Sequence, residues 1–126
     1  MTRNLLVAGA LLAAAGVALG AFGAHALRGS VDASLLAVWQ TATQYHLVHA
    51  LAIVVLGFAS LHWQSRQLAI AGWILFAGVL LFSGSLYVLV LLDLRWLGAV
   101  TPLGGIAFIA GWLWLAVAVR GLSSRS

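Results

Sequence analysis

The chain has 126 residues, of which 64% are hydrophobic and 6% charged, and it carries a formal net charge of +4 with no cysteine. A soluble domain has about 25% charged residues, so this composition excludes a water-soluble fold and predicts a protein embedded in lipid. The missing cysteines exclude disulfides and thiolate metal sites. The arginines are scattered singly between apolar runs, whereas nucleic-acid binding requires them clustered on one face, so nucleic acid is excluded as a partner.

The first apolar segment, residues 4–26, begins like a signal peptide, with Arg3, an apolar run and small residues around His25. The apolar region of a signal peptide spans about 7–15 residues, and this run is longer. Crossing the roughly 30 Å hydrocarbon core of a bilayer takes about 20 helical residues. The segment is therefore predicted to be a transmembrane helix.

Three more segments are long enough to cross a membrane. A helix starting at residue 33 contains an apolar span over 43–61, and two further spans cover 68–92 and 102–119. None alternates as a barrel strand would, and only helices or closed barrels satisfy their backbone groups in lipid. The predicted fold is all-α, a single domain over residues 1–126 that forms a compact bundle of four transmembrane helices.

The ends of these helices carry local signals. Asp32 is predicted to cap the second helix. Thr101 is predicted to cap the fourth, followed by Pro102 at the first helical position, where a missing backbone donor costs nothing. Polar turns at 64–67 and 93–95 separate the other spans.

The arginines predict the orientation. In a chain of four spans, both termini and the loop near residue 66 share one side, and an excess of Lys and Arg marks the cytoplasmic side. That side carries Arg3, Arg66, Arg120 and Arg125, and the opposite side carries Arg28 and Arg95. Both termini are therefore predicted to lie in the cytoplasm.

Tryptophans favour the two membrane–water interfaces. With this topology, Trp39 and Trp96 are predicted near the outer interface. Trp63 and Trp114 are predicted near the inner one.

Small residues permit close approach of helices in lipid. Residues Gly16 and Gly20 form a GxxxG pair in the first span. Packing within the bundle is the favoured interpretation of this pair, and homodimerisation through it is the alternative. The residues predicted to pack helices together are Gly16, Gly20, Gly23, Gly84, Gly104 and Gly111.

Polar side chains inside a membrane are costly and are candidate functional residues. In the predicted topology they fall at similar depth in the outer leaflet, where we expect a polar pocket that opens outward. Its predicted members are His25, Tyr45, His46, His49, Ser83, Ser85, Tyr87 and Thr101.

Two interpretations of the histidines are open. In one, His25, His46 and His49 hydrogen-bond to hydroxyls and carbonyls of neighbouring helices. In the other, the same three side chains bind zinc, copper or haem. No carboxylate joins them, because Asp32 and Asp93 fall in loops, so the structural interpretation is favoured and no metal or cofactor is predicted. With no GxSxG elbow either, we expect no catalytic residues and no enzyme activity.

Four stretches of the sequence resemble one known family. They are GAFGAHAL at 20–27, YHLVHAL at 45–51, LFSGSLY at 81–87 and GAVTPLGG at 98–105, followed by Phe108, Gly111 and Trp112. In this order they resemble the YgdD-type family of small bacterial inner-membrane proteins, which has small eukaryotic relatives. The resemblance implies four spans and an inner-membrane location, and it implies no reaction.

The favoured function is that of a structural or accessory component of the inner membrane, with the lipid bilayer, other membrane proteins or further copies of itself as partners. One alternative is a pathway for a small solute or ion, which the apolar inner half opposes in a monomer but which an oligomer could supply. The other is a redox accessory that binds a metal or haem through its histidines.

Overall fold

The computed structural model describes residues 2–122, and all the regular elements in this range are helices joined by short turns. Helix α1 runs over Thr2–Phe22 and continues as a π-helical turn over Gly23–Leu27. The remaining elements are α2 over Ala33–His62, α3 over Arg66–Leu92, a short 3₁₀ helix over Arg95–Ala99 and α4 over Thr101–Arg120. Arg125, which the orientation prediction counts, lies outside the described residues.

All four helices are long and apolar enough to cross a membrane. The helices begin and end within two residues of the predicted bounds when the π-helical turn that ends at Leu27 is counted with α1. The predicted all-helical fold with four spans is therefore confirmed. The end of the molecule that carries both chain termini is called the terminal end, and the end that carries residues 28–32 and 93–100 is called the loop end.

The helix ends differ from the predictions in detail. Asp32 holds the N-cap position of α2, but its side chain makes no capping hydrogen bond. Thr101 is already helical, and Val100 precedes it without a side-chain cap. The Ser65 hydroxyl caps α3 by accepting a hydrogen bond from the Leu68 N–H at 3.3 Å. The predicted cap at Thr101 is thus wrong, because its hydroxyl is used elsewhere in the bundle.

Each helix packs antiparallel against the next one along the chain. Helix α2 lies between α1 and α3, and α3 lies between α2 and α4. In the described part of the chain, no Cα atom of α2 lies within 8 Å of a Cα atom of α4. Contact between these two helices is therefore made by large side chains that reach across the gap.

The α1–α2 interface repeats every seven residues. Gly9, Gly16 and Gly23 of α1 face the large side chains Ile53, His46 and Trp39 of α2 in antiparallel order. A Cβ atom added at Gly9 would lie 3.0 Å from Ile53 Cγ2, and one at Gly23 would overlap the Trp39 indole. A seven-residue repeat is the signature of left-handed helix packing.

The α3–α4 interface brings the backbones closer still. A Cβ atom added at Gly104 would overlap the backbone of Phe82. Gly78, one turn from Phe82 on α3, faces the Phe108 ring, and Gly111, two turns from Gly104 on α4, faces Leu75. These glycines let two apolar helices approach where any side chain would hold them apart.

Two of the predicted packing glycines have no neighbour. A Cβ atom added at Gly20 or at Gly84 would meet no atom within 4 Å. The packing roles predicted for these two residues, and the use of Gly16 and Gly20 as a pair, are therefore corrected. The reason is the seven-residue repeat of the α1–α2 interface, which uses Gly16 and Gly23 and turns Gly20 away.

One tryptophan also departs from its predicted place. Trp39 is only 1% exposed, because its ring packs between α1 and Tyr87 of α3. Trp63, Trp96 and Trp114 are between 41% and 66% exposed. Trp39 is therefore a packing residue of the bundle and not an exposed residue of an aromatic belt, because the opposing Gly23 opens a place for its ring.

Candidate functional site

The polar residues of the interior are organised around α2. This helix contacts both α1 and α3, and its side chains at Trp39, His46 and His49 are buried. Each of the three carries a ring N–H or a ring nitrogen that must find a partner away from water. Where these partners lie determines what the site can do.

His46 joins three helices. Its Nε2 atom lies 2.7 Å from the Leu12 carbonyl oxygen of α1, and its Nδ1 atom lies 2.7 Å from the Tyr87 hydroxyl of α3. A carbonyl oxygen only accepts hydrogen bonds, so Nε2 carries the proton and donates it. In a neutral ring Nδ1 then accepts from the Tyr87 hydroxyl, and both nitrogens are in use.

His49 joins α2 to α4 in the same manner. Its Nδ1 atom donates to the Tyr45 carbonyl oxygen at 2.7 Å. The Trp112 indole N–H of α4, which is only a donor, reaches Nε2 at 3.0 Å. The imidazole also stacks on the Phe108 ring, with centroids 3.7 Å apart. This aromatic layer fills the gap between the backbones of α2 and α4.

Hydroxyl groups complete the set of links between helices. Ser83 donates to the Ala42 carbonyl oxygen of α2 at 2.8 Å. The Ser85 and Thr101 hydroxyls lie 2.7 Å apart and tie α3 to α4. In the described residues, no buried side-chain nitrogen or oxygen lacks a hydrogen-bond partner. The polar interior is thus a closed network whose bonds are all made within the chain.

This network leaves no free nitrogen lone pair on the rings of His46 and His49. A metal or haem iron binds the unprotonated nitrogen of a neutral imidazole. In His46 that nitrogen accepts from Tyr87, and in His49 it accepts from Trp112. Ligation by either ring would break a hydrogen bond between helices and leave a buried donor without its partner. The geometry therefore favours the structural interpretation of these two residues.

His25 does not join the other histidines. It is exposed on the π-helical turn at the loop end of α1. His46 bonds to Leu12 of the same helix, 13 residues earlier, and 13 helical residues span about 20 Å. The predicted common depth of His25 and His46 is therefore wrong, because the register between α1 and α2 separates them.

Tyr45 is only partly inside. Its ring packs against Phe82 with centroids 4.7 Å apart, but 43% of the residue is exposed. Its hydroxyl makes no hydrogen bond within residues 2–122. Tyr45 therefore borders the network without belonging to it.

Three surface grooves lie away from the buried polar residues. Grooves of about 490 and 340 Å³ lie at the terminal end, beside Trp114 and Thr2 respectively. A groove of about 410 Å³ lies at the loop end, beside Asp32 and Asp93. None of the three is lined by a residue of the His46 or His49 networks. The buried polar residues therefore hold helices together, and none of these three grooves is the predicted outward-opening pocket.

Known proteins similar to this chain are named as membrane proteins. The sequence matches the family described as "Protein of unknown function (DUF423)" over residues 19–105. It is 46% identical over 116 residues to the UPF0382 membrane protein SAB0533 of Staphylococcus aureus, covering 92% of this chain and 94% of the relative. It is also 46% identical over 117 residues to the UPF0382 membrane protein YwdK of Bacillus subtilis, covering 92% and 95%.

The chain belongs to the DUF423 family. Together with the four spans, this makes it a small integral membrane protein. No solved structure matches the chain. The family description names no activity, so the function of this DUF423 protein is inferred from its geometry.

Sequence reasoning missed several residues of the network. The buried role of Trp39 and the bond from Trp112 to His49 were not predicted, nor were the carbonyl acceptors at Leu12 and Leu19. A signal for Trp39 exists, because it recurs with His46 at the same seven-residue spacing as the glycines opposite. The carbonyls carry no signal, since every residue has one.

Proposed function

We propose that this DUF423 protein is a non-enzymatic structural or accessory component of the bacterial inner (plasma) membrane, which packs against lipid and other membrane proteins. One observation carries the proposal: both ring nitrogens of His46 and of His49 are engaged in hydrogen bonds within the chain. The groups best suited to chemistry are thus committed to joining helices.

The outer surface supports the same proposal. Helices α1 and α4 pack mainly against one neighbour each and leave broad apolar faces uncovered. Leu11 of α1 is 66% exposed, and Val117 of α4 is 71% exposed. Such faces suit contact with lipid tails and with helices of other proteins.

A solute or ion pathway is less well supported. Between Tyr45 and His62 at the terminal end, no exposed side chain of α2 is polar. Toward the terminal end the same face continues with Val48, Leu51 and Val55, which are between 53% and 65% exposed. An aqueous route requires polar groups across the whole membrane, so this apolar half opposes one.

The orientation and subfamily form part of the proposal. Arg3, Arg66 and Arg120 lie at the terminal end, whereas Arg28 and Arg95 lie at the loop end. This excess supports a cytoplasmic location for both termini. The resemblance of the stretches at 20–27, 45–51, 81–87 and 98–105 supports assignment to the YgdD-type group within the family.

The orientation is tested by cysteine labelling, since the natural chain has no cysteine. Ser30→Cys at the loop end and Ser65→Cys at the terminal end are exposed in turn to an impermeant thiol reagent on intact cells. We expect labelling of Ser30→Cys alone. Labelling of Ser65→Cys alone would reverse the proposed orientation.

The accessory role is tested by placing a photoreactive amino acid at lipid-facing positions in living cells. Leu11 on α1 and Leu113 on α4 are 66% and 63% exposed, and Leu75, which is fully buried, is the control. We expect crosslinks from an exposed position to another protein of defined mass, and none from Leu75. If both exposed positions yield lipid adducts only, the accessory role is refuted.

A further inference from the structure

One face of α2 is exposed along most of the helix and repeats in steps of three and four residues. Toward the terminal end its residues are apolar and between 53% and 65% exposed. Toward the loop end its residues are polar and exposed. The face, called here the α2 outer face, consists of Thr41, Gln44, Val48, Leu51, Val55 and Phe58.

The polar part of this face lies deep in the membrane. Trp39 and His46 of α2 bond to the carbonyls of Leu19 and Leu12 of α1. Residues between them are therefore level with the middle of the span Thr2–Leu27. A side chain at this depth has hydrocarbon around it, and not the interfacial water.

Three uncharged polar side chains on or beside this face have no partner in the molecule. Gln40, Gln44 and Tyr45 are exposed, and their side chains make no hydrogen bond within residues 2–122. An amide or phenol that faces lipid without a partner is strongly unfavourable, because hydrocarbon offers no hydrogen bond to replace those made with water. Polar residues in spans accordingly turn toward protein. In the monomer, these three side chains have no protein partner to turn toward.

The repeat of the α2 outer face identifies what covers it. Steps of three and four residues place its members at the a and d positions of a heptad. The a positions are β-branched: Thr41, Val48 and Val55. The d positions are Gln44, Leu51 and Phe58. Among parallel coiled coils, β-branched residues at a favour two strands where leucine occupies d, and Leu51 occupies the central d position here.

A second copy of this chain supplies a parallel partner. Copies inserted with the same orientation have parallel α2 helices, and a two-fold axis along the membrane normal brings identical faces together. The Gln44 amide both donates and accepts, so it can pair with its own copy. In such a seam Gln40 at g faces Tyr45 at e of the partner helix, which gives the phenol and the amide a partner each.

We propose that the protein forms a parallel homodimer through the α2 outer face, with Gln44 paired across the two-fold axis and Gln40 bonded to Tyr45 of the other copy. The exposed faces of α1 and α4 offer no comparable set, since their mid-membrane exposed residues are alanines and large apolar side chains such as Leu11 and Leu113. The dimer covers the polar part of α2 and leaves α1 and α4 free for lipid or other proteins.

The test uses single cysteines in the otherwise cysteine-free chain. Val48→Cys and Val55→Cys lie on the α2 outer face, with the original valines 53% and 65% exposed. Val7→Cys and Val17→Cys on α1 are matched controls, since these valines are 53% and 65% exposed as well. Mild oxidation in native membranes is expected to give disulfide-linked dimers from both α2 variants and not from the α1 variants.

A second measurement tests the role of the amide. Gln44→Leu is expected to raise the dimer dissociation constant in detergent about tenfold, without changing helical content, because Gln44 has no partner within the monomer. Gln67→Leu is the matched control, since Gln67 bonds to Trp114 at the terminal end, away from the α2 outer face. Its dissociation constant should equal that of the wild type.

Three results would overturn the dimer: a wild-type protein that is monomeric by ultracentrifugation, α1 cysteines that crosslink as readily as those of α2, or a Gln44→Leu variant that dimerises as the wild type does. None of them bears on the proposed accessory role, which depends on contacts of α1 and α4 with other proteins. The two proposals therefore fail separately.

Discussion

The α1–α2 and α3–α4 interfaces both set glycines against large residues, but they differ in what the glycines touch. On α1, a Cβ atom added at Gly16 would lie 2.6 Å from the Leu47 Cδ2 atom, which is the end of a flexible side chain. On α4, a Cβ atom added at Gly104 would overlap the backbone of Phe82. A side chain can rotate away, whereas a backbone moves only if the helices separate.

The two interfaces also differ in their hydrogen bonds. Helix α2 donates to α1 carbonyls from Trp39 and His46, with donor–acceptor distances of 2.8 and 2.7 Å. Between α3 and α4, two side-chain pairs lie toward opposite ends of the interface: Ser85 with Thr101 toward the loop end, at 2.7 Å, and Trp114 with Gln67 at the terminal end, at 3.0 Å. The α1–α2 interface thus has its hydrogen bonds to backbone carbonyls in the middle of the span, whereas the α3–α4 interface has close backbone contact in its middle and hydrogen bonds nearer its ends.

The largest effect is expected at the α3–α4 interface. Gly104→Ala forces the two backbones apart, and we expect a loss of about 3 kcal/mol in the free energy of unfolding, the upper end of overpacking costs. The neighbouring Gly105→Ala is the control, because its added Cβ atom meets no atom within 4 Å. Unfolding in mixed detergent micelles measures both. Equal stability of the two variants would contradict the close backbone packing.

A smaller effect is expected at the α1–α2 interface. In Gly16→Ala the new methyl group displaces the Leu47 side chain, and we expect a loss of about 1 kcal/mol. Gly20→Ala has open space around its Cβ atom, and it should be neutral or slightly stabilising because alanine favours helix. The same micelle titration compares them. A greater loss in Gly20→Ala would restore the GxxxG pair as the packing motif.

The smallest effect is expected from a single hydrogen bond. Tyr87→Phe removes the hydroxyl that donates to His46 Nδ1 and keeps the ring that packs on Trp39. We expect a loss of about 0.6 kcal/mol, the average for such bonds in membrane proteins. Trp112→Phe should lose a similar amount at His49 and serves as the comparison.

Purified wild type without a histidine tag, checked by elemental analysis and visible absorption, should carry no stoichiometric metal or haem. A stoichiometric metal or a haem absorption band would contradict the closed network.

The length and apolarity of the helices were available from the sequence. The start of α2 at Ala33 and the end of α3 at Leu92 match the predicted residues, since the length of an apolar run is a local property. The packing of Gly104 and Gly111 was also predicted, because small residues are enriched where helices approach in lipid, although the same rule failed for Gly20 and Gly84. Membrane insertion thus follows from composition and span length alone.

The assembly of the polar residues was predicted only in part. His46, Ser83 and Tyr87 were expected to meet partners across helices, and they do. Their partners include backbone carbonyls, which no residue type reveals. The sequence analysis placed His25 and His46 at a similar depth in the outer leaflet. The register between α1 and α2 instead places the two residues about 20 Å apart along the helix axis.

The amino-acid sequence alone is enough to establish that this protein crosses the membrane four times as helices, because about 20 apolar residues in a row have no other stable place. Which face of each helix is buried, which glycines are contacts and which histidines are linked came from the folded structure. These helices are apolar on all sides, and lipid is as apolar as leucine. The pattern of hydrophobic residues therefore does not indicate which face of a helix is buried or how two helices align along their axes. Rotation and register are set by the fit of Gly23 to Trp39, of Gly16 to His46 and of Gly104 to Phe82.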